Sequence, residues 1–216
     1  MPRRLLISLS VGFLLWTLMF SPWTAPYLPF WPCMVGSAVI LITLALYNGR
    51  KQIKEHLSVP LKQWCIDILL GVAIAAVLWG VFWIGDKVSQ WMFPSFARHQ
   101  VDGIYGIKDG INPVLLSCLL LLVIGPAEEL FWRGYIQQSL LLRARKMAQP
   151  EWIAVLIAIA AYTLVHIFSF NFMLIMAAAV CGVVWGGLYW LFPKHFPAIV
   201  ISHALWDAAV FIWFPI

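Results

Sequence analysis

Seven stretches of this chain are apolar enough and long enough to cross a bilayer, which takes about 20 mostly apolar residues. They run near residues 5–21, 31–48, 65–85, 113–141, 152–169, 172–192 and 197–214. The pattern predicts an all-α, polytopic membrane protein of about seven transmembrane helices. The first stretch follows Arg3 and Arg4, as the core of a signal peptide would. It is long, however, and Pro26 would follow Ala25, the one suitable cleavage residue, so it is read as a retained helix. Two connections stand out. Residues 49–64 read as a basic, amphipathic cytoplasmic segment that sets topology on anionic lipid. Residues 86–112, with Gly103, Gly106 and Gly110, read as an external loop, either a lid or a plain connection.

Composition sharpens this picture. Hydrophobic residues make up 63% of the 216 and charged residues 11%, whereas a soluble domain runs at about 45–50% and ~25%. Soluble, disordered and coiled-coil classes are therefore set aside. A net charge of +5 would suggest nucleic acid on a soluble protein; here the charges sit between apolar runs, so the bilayer is the partner and nucleic acid is not. With the N-terminus in the cytoplasm, Arg3, Arg4, Arg50, Lys51, Lys54, Lys62, Arg143, Arg145, Lys146 and Lys194 all fall inside. Only Lys87, Arg98 and Lys108 fall outside, which matches the positive-inside rule for an odd number of passes and puts the C-terminus outside. The expected location is a bacterial plasma membrane. Cys33, Cys65, Cys118 and Cys181 form no CxxC pair and read as buried small hydrophobes. Ala178, Gly182 and Gly186, followed by Gly187, form a small-residue stripe for close helix packing. Tryptophans and tyrosines near the pass ends read as interface anchors, and His195 as an interfacial histidine.

The informative residues are the ionisable ones inside the passes. A charge at mid-bilayer costs roughly 2.5–3.5 kcal/mol even on the lenient insertion scale, so such groups are functional candidates. Glu128, Glu129 and Arg133 lie in the fourth pass, His166 in the fifth, and His203 and Asp207 in the seventh. Glu129 and Arg133 are four residues apart and share a helix face, which reads as a self-neutralising, structural pair. Glu128 points about 100° away and is left free. Tyr162 and His166, and likewise His203 and Asp207, repeat the four-residue spacing. Glu128 is 15 residues from Arg143 and His166 is 15 from Glu151. At 1.5 Å per residue each lies about 22 Å from its cytoplasmic anchor, so the polar groups share a similar depth. Pro126 removes a backbone donor and is expected to kink or open the fourth helix just before Glu128.

A carboxylate beside an imidazole in a low-dielectric site is a general-base arrangement for activating water. Donors such as His203, helped by Arg133, suit an oxyanion. Gly-x-Ser-x-Gly, HExxH and Gly-x-Gly-Asp sequences are absent, and no cysteine has a convincing partner, so the serine, zincin, aspartyl and cysteine mechanisms are disfavoured.

Glu128-Glu129-Leu-Phe-Trp-Arg133 resembles the EExxxR motif of the CAAX protease and bacteriocin-processing (CPBP) family of intramembrane proteases. Tyr162-Thr-Leu-Val-His166 resembles its FxxxH motif, with Tyr for Phe, and His203-Ala-Leu-Trp-Asp207 its HxxxN/D motif. The resemblance covers about residues 113–210. It implies an endopeptidase acting on a membrane-associated protein or peptide, in CAAX-type prenyl-protein processing or a related bacterial maturation step. It further implies that Glu128 activates water with His166 assisting, that His203 and residue 207 form the oxyanion site, and that Glu129 and Arg133 hold the site in shape. No cofactor is called for, with zinc as the alternative because Glu and His are zinc-ligand types. CAAX-processing members carry Asn where this chain has Asp207, and an ionised Asp donates no hydrogen bond. Asp207 is then protonated, orients His203, or binds a metal.

Two other classes compete. A proton-coupled transporter also uses intramembrane Glu, His and Asp, although the first half of this chain lacks counterparts to them. A non-catalytic scaffold or bacteriocin-immunity protein is compatible with the family resemblance. The domain reading is a single membrane domain over 1–216, with N-terminal helices and the external loop over 1–111 and a core carrying the motifs over 112–216.

Overall fold

The structure, a computed structural model, describes residues 3–216. All regular elements among the described residues are helical, and seven of the helices are long and apolar enough to cross a membrane. They are α1 (Arg3–Phe20), α2 (Phe30–Leu57), α3 (Leu61–Met92), α5 (Pro113–Lys146), α6 (Glu151–Leu164, within a span Glu151–Ser169), α7 (Phe172–Leu191) and α8 (Phe196–Ala208, within a span Pro193–Trp213), with a shorter α4 (Pro94–Tyr105) between α3 and α5. Helix starts follow the local chemistry. Asn112 caps α5, its side chain accepting from the backbone N–H of Val114 (2.9 Å) and Leu115 (3.2 Å), with Pro113 in the first turn. Asn171 caps α7 by accepting from Leu174 N–H at 2.9 Å.

The two connections differ from their sequence reading. The segment 49–64 is helical except at Ser58–Pro60, because α2 and α3 both extend past their apolar cores. The expected external loop 86–112 is mostly helix: α3 runs to Met92 and α4 follows at once. Its glycines misled the reading. Phe96, Ala97, Val101 and Ile104 recur at helical spacing, Ala97 is fully buried, and α4 packs on both α3 and α7. Only Gly110, at φ +76°, uses a backbone conformation that favours glycine.

Helices approach closely where side chains are small. A Cβ on Gly71 would lie 2.7 Å from Ile201 Cγ2 and 3.0 Å from the Ala198 carbonyl oxygen, which sets the long contact of α3 with α8. Gly182 and Gly186 pack against Ile159 of α6, as the small-residue stripe predicts, whereas Gly187 faces open space. The cysteine reading needs correction: Cys181 is buried, but Cys65 and Cys118 are exposed on the apolar surface and Cys33 is partly so. A bilayer makes burial unnecessary for an apolar side chain. The tryptophans divide likewise. Trp23, Trp91 and Trp152 are exposed near helix ends, while Trp16, Trp132 and Trp185 are core residues.

Helix α5 is the irregular one. Its hydrogen bonding widens to π-helical over Leu120–Ile124 and again over Leu130–Gln137, on either side of an α-helical turn Gly125–Glu129. Gly125 N–H reaches back five residues to Leu120 O. The next residue, Pro126, supplies no N–H, so the ladder opens there, as expected from its position before Glu128. Gly125 itself touches α8: a Cβ would lie 2.8 Å from Ala204 Cα and 3.0 Å from Ala204 N. That contact draws the turn bearing the two glutamates against the helix bearing His203.

Candidate active site

Glu129 is completely buried. Its Oε1 accepts from Arg133 Nη1 at 2.8 Å, the within-helix pair predicted from spacing. The same oxygen also accepts from His203 Nδ1 at 2.7 Å, across from α8. The pair is therefore not self-contained. One carboxylate holds together a guanidinium of its own helix and an imidazole 74 residues away. Arg133 lies over the Tyr162 ring at 4.3 Å and near the Trp185 ring at 5.6 Å. It is 1% exposed, so these aromatic faces and Glu129 supply what water would otherwise give it. Arg133 is thus enclosed by Glu129 and the two aromatic rings.

His203 is held on three sides. Nδ1–H donates to Glu129, Trp185 stacks on the ring with centroids 3.9 Å apart and planes 19° apart, and Nε2 faces Asp207 Oδ2 at 3.4 Å. The hydrogen bond to Glu129 sets the tautomer and leaves Nε2 turned to Asp207. His166 is fixed differently. Nε2 accepts from Trp16 Nε1–H at 3.1 Å, so the proton sits on Nδ1, which donates to the Tyr162 carbonyl at 3.0 Å. Both nitrogens of His166 are thus engaged, one of them by α1.

Glu128 contrasts with its neighbour. It is 6% exposed and, among the described residues, its side chain has no hydrogen-bond partner in the protein. It borders a cavity of about 490 Å³ whose wall also includes His166, His203 and Asp207. The other lining residues are overwhelmingly apolar. The six predicted site residues thus form two connected groups. Glu129, Arg133 and His203 make one network with Asp207 beside it, and Glu128 and His166 face the same chamber as His203 and Asp207. Glu129 and Arg133 are the two that do not reach the chamber wall.

Residues 110–209 match a family model described as Type II CAAX prenyl endopeptidase Rce1-like, part of the CPBP family. Over this segment, a little under half of the chain, the sequence is similar to the Rce1-like family. All six site residues lie within the matched segment. The comparisons with curated proteins and with solved structures give no match. The Rce1-like family is a protease family, and the seven apolar helices fit an integral membrane protein.

Zinc was the alternative cofactor. Among the described residues, no three His, Cys, Asp or Glu side chains come together as a ligand group. His166 offers no free lone pair, since Trp16 occupies Nε2 and Nδ1 carries the proton. The donors as arranged do not make a zinc-ligand set.

Three features of the site escaped the sequence reading. Trp16 is the first, because the N-terminal passes carry no ionisable group to draw attention. A signal existed: Leu5, Ser8, Gly12, Trp16 and Met19 form one buried face, and the small Ser8 and Gly12 mark it as a close approach. The second is Trp185, the stacking partner of His203. The third is a polar cluster away from the chamber. Buried Asp67 accepts from Gln63 at 3.0 Å and pairs with His195 at 2.7 Å, so His195 is tied to α3 rather than merely interfacial.

Proposed function

We propose that the protein is an intramembrane endopeptidase that cleaves a membrane-associated protein or peptide with a water molecule activated by Glu128. The observation that carries this reading is Glu128 itself, a carboxyl group lodged in an apolar wall with no protein partner, beside a histidine whose other nitrogen is held by a second carboxylate. In this reading Glu128 takes a proton from water as the water oxygen bonds to the scissile carbonyl carbon. His203 Nε2, protonated and stabilised by Glu129 and Asp207, donates to the developing oxyanion. Glu128 then delivers its proton to the leaving nitrogen as the C–N bond breaks, which yields a carboxylic acid and an amine. Asp207 orients and charges His203, which needs an acceptor at that position and so tolerates Asp. His166, capped by Trp16, positions the α6 wall of the chamber. CAAX-type prenyl-protein processing, or a related bacterial maturation step, is the corresponding biological reaction. Residues 112–216 would form the catalytic core and 1–111 the helices that complete the chamber.

The test is hydrolysis of membrane-anchored fluorogenic peptides by purified protein. Glu128→Gln is expected to lose roughly 10²–10⁴-fold in rate, the usual contribution of a general base. A strong chelator is expected to leave the wild-type rate unchanged. Undiminished cleavage by Glu128→Gln overturns the assignment of the base. Loss of cleavage with chelator overturns the metal-independent mechanism.

A further inference from the structure

The chamber has a direction. From Glu128, His203 and Asp207 its wall continues toward one end of the bundle, through Asp86 and Met92 at the end of α3, Tyr105 at the end of α4, Phe172 at the start of α7 and Phe211 beyond α8. Tyr105 braces this mouth by donating to the Val210 carbonyl at 3.0 Å. The other end is shut. Along α5 below Glu128, Phe131, Trp132, Arg133, Ile136 and Gln137 are all at most 2% exposed. Gln137 Nε2 donates to the Gly186 carbonyl at 2.7 Å, closing the contact with α7.

The two ends also differ in charge. The shut end carries ten Lys and Arg residues, from Arg3 to Lys194. The open end carries Lys87, Arg98 and Lys108. All three are partnered there: Lys87 by Asp86 at 3.3 Å, Arg98 by Gln90 at 2.9 Å, and Lys108 by the Phe211 carbonyl and the Tyr105 ring. Lys and Arg in short loops set the orientation of a membrane protein, with the rich side cytoplasmic. The shut end is then cytoplasmic and the mouth lies on the opposite face.

The wall is also open sideways. Val81 and Val88 of α3 and Met176 of α7 line the chamber and remain 45%, 47% and 45% exposed. These two helices barely touch each other and are bridged by α4 at the mouth, so the gap between them is where a bilayer would reach the chamber.

Resting on the protease reading above, we infer that the site takes its substrate from the non-cytoplasmic face: an exported peptide segment held at the outer leaflet by a hydrocarbon anchor, which enters between α3 and α7. A prenylated protein presented from the cytoplasm would meet the shut end. This selects the substrate class by location and by anchor chemistry.

The test has two arms. In the first, His99→Cys on α4 and Gln149→Cys after α5 are each placed in a chain whose four native cysteines are replaced by serine. Sealed right-side-out vesicles are then treated with a membrane-impermeant maleimide. Labelling of His99→Cys before permeabilisation, and of Gln149→Cys only afterwards, is the expected result, and the reverse pattern overturns the inference. In the second arm, sealed vesicles of the wild-type chain receive a palmitoylated, internally quenched peptide on the outside, or the same peptide without its anchor. Hydrolysis of the anchored peptide without opening the vesicles is expected. Hydrolysis only after opening overturns the inferred side, and equal rates for the unanchored peptide overturn the anchor. Outside labelling of His99→Cys without hydrolysis, even after opening, overturns the inferred substrate and the protease reading while leaving the orientation of the chamber in place; the two failures are thereby separable.

Discussion

Glu128 and Glu129 are adjacent in the chain and opposite in circumstance. Glu129 is paired twice through one oxygen and is fully buried, whereas Glu128 has no side-chain partner and borders the chamber. Breaking a buried pair leaves uncompensated charge, so Glu129→Gln is expected to cost about 3–5 kcal/mol, seen as a lower melting temperature in detergent. Glu128→Gln removes a costly unpaired group and is expected to leave the melting temperature unchanged or raised. A stable Glu129→Gln protein would show that Arg133 and His203 do not depend on that carboxylate. Trp16 gives the second expectation at this scale. Trp16→Phe removes one buried hydrogen bond, worth about 1 kcal/mol, and releases His166 Nε2. Its effect on hydrolysis is expected to disappear in a His166→Ala background, because the two act as one unit. Additive losses in that double-mutant cycle would separate Trp16 from His166. The six ionisable positions were readable at this scale from their cost in a bilayer. The bond from His203 to Glu129 was not, because spacing along one helix carries no information about a neighbour 74 residues away.

At the scale of elements, α5 decides the site. Its widened turns on either side of Gly125–Glu129, together with the missing Pro126 donor, present the two glutamates, and Gly125 lets that turn sit against Ala204. Gly125→Ala is expected to destabilise by about 1–3 kcal/mol through overpacking, with loss of activity, because backbone atoms cannot give way. Gly187→Ala, a glycine facing open space, is expected to leave both properties near wild type. Equal behaviour of the two substitutions in melting and hydrolysis assays would remove the packing role of Gly125. Helix α4 is tied to α7 by Asn171 Nδ2 donating to the Gln100 carbonyl at 2.7 Å and by Phe172 N–H donating to Gln100 Oε1 at 2.7 Å. Asn171→Ala loses the first of these ties and the cap of α7, and hydrogen exchange over residues 94–105 is expected to rise. The existence of α4 was hidden from the sequence by three glycines, and packing against α3 and α7 outweighed them.

For the whole molecule, the essential asymmetry is a chamber shut at the arginine- and lysine-rich end and open at the other, with a gap between α3 and α7. Met176→Trp, at that gap, is expected to raise KM for an anchored peptide while leaving kcat unchanged. An unaltered KM would show that substrate does not pass there. By itself the sequence determined the seven passes, the bias of charge between the two faces, the six ionisable positions and their four-residue pairings. Each of these follows from local constraints, since hydrocarbon penalises every polar group wherever it stands and helix geometry relates near neighbours. Only the tertiary structure decided that Glu129 clamps His203, that Trp16 occupies His166, that residues 94–105 form a bridging helix, and toward which end the chamber opens. These are properties of contacts between distant segments. Their energies come from close packing and from directed hydrogen bonds that exist only once the helices are side by side.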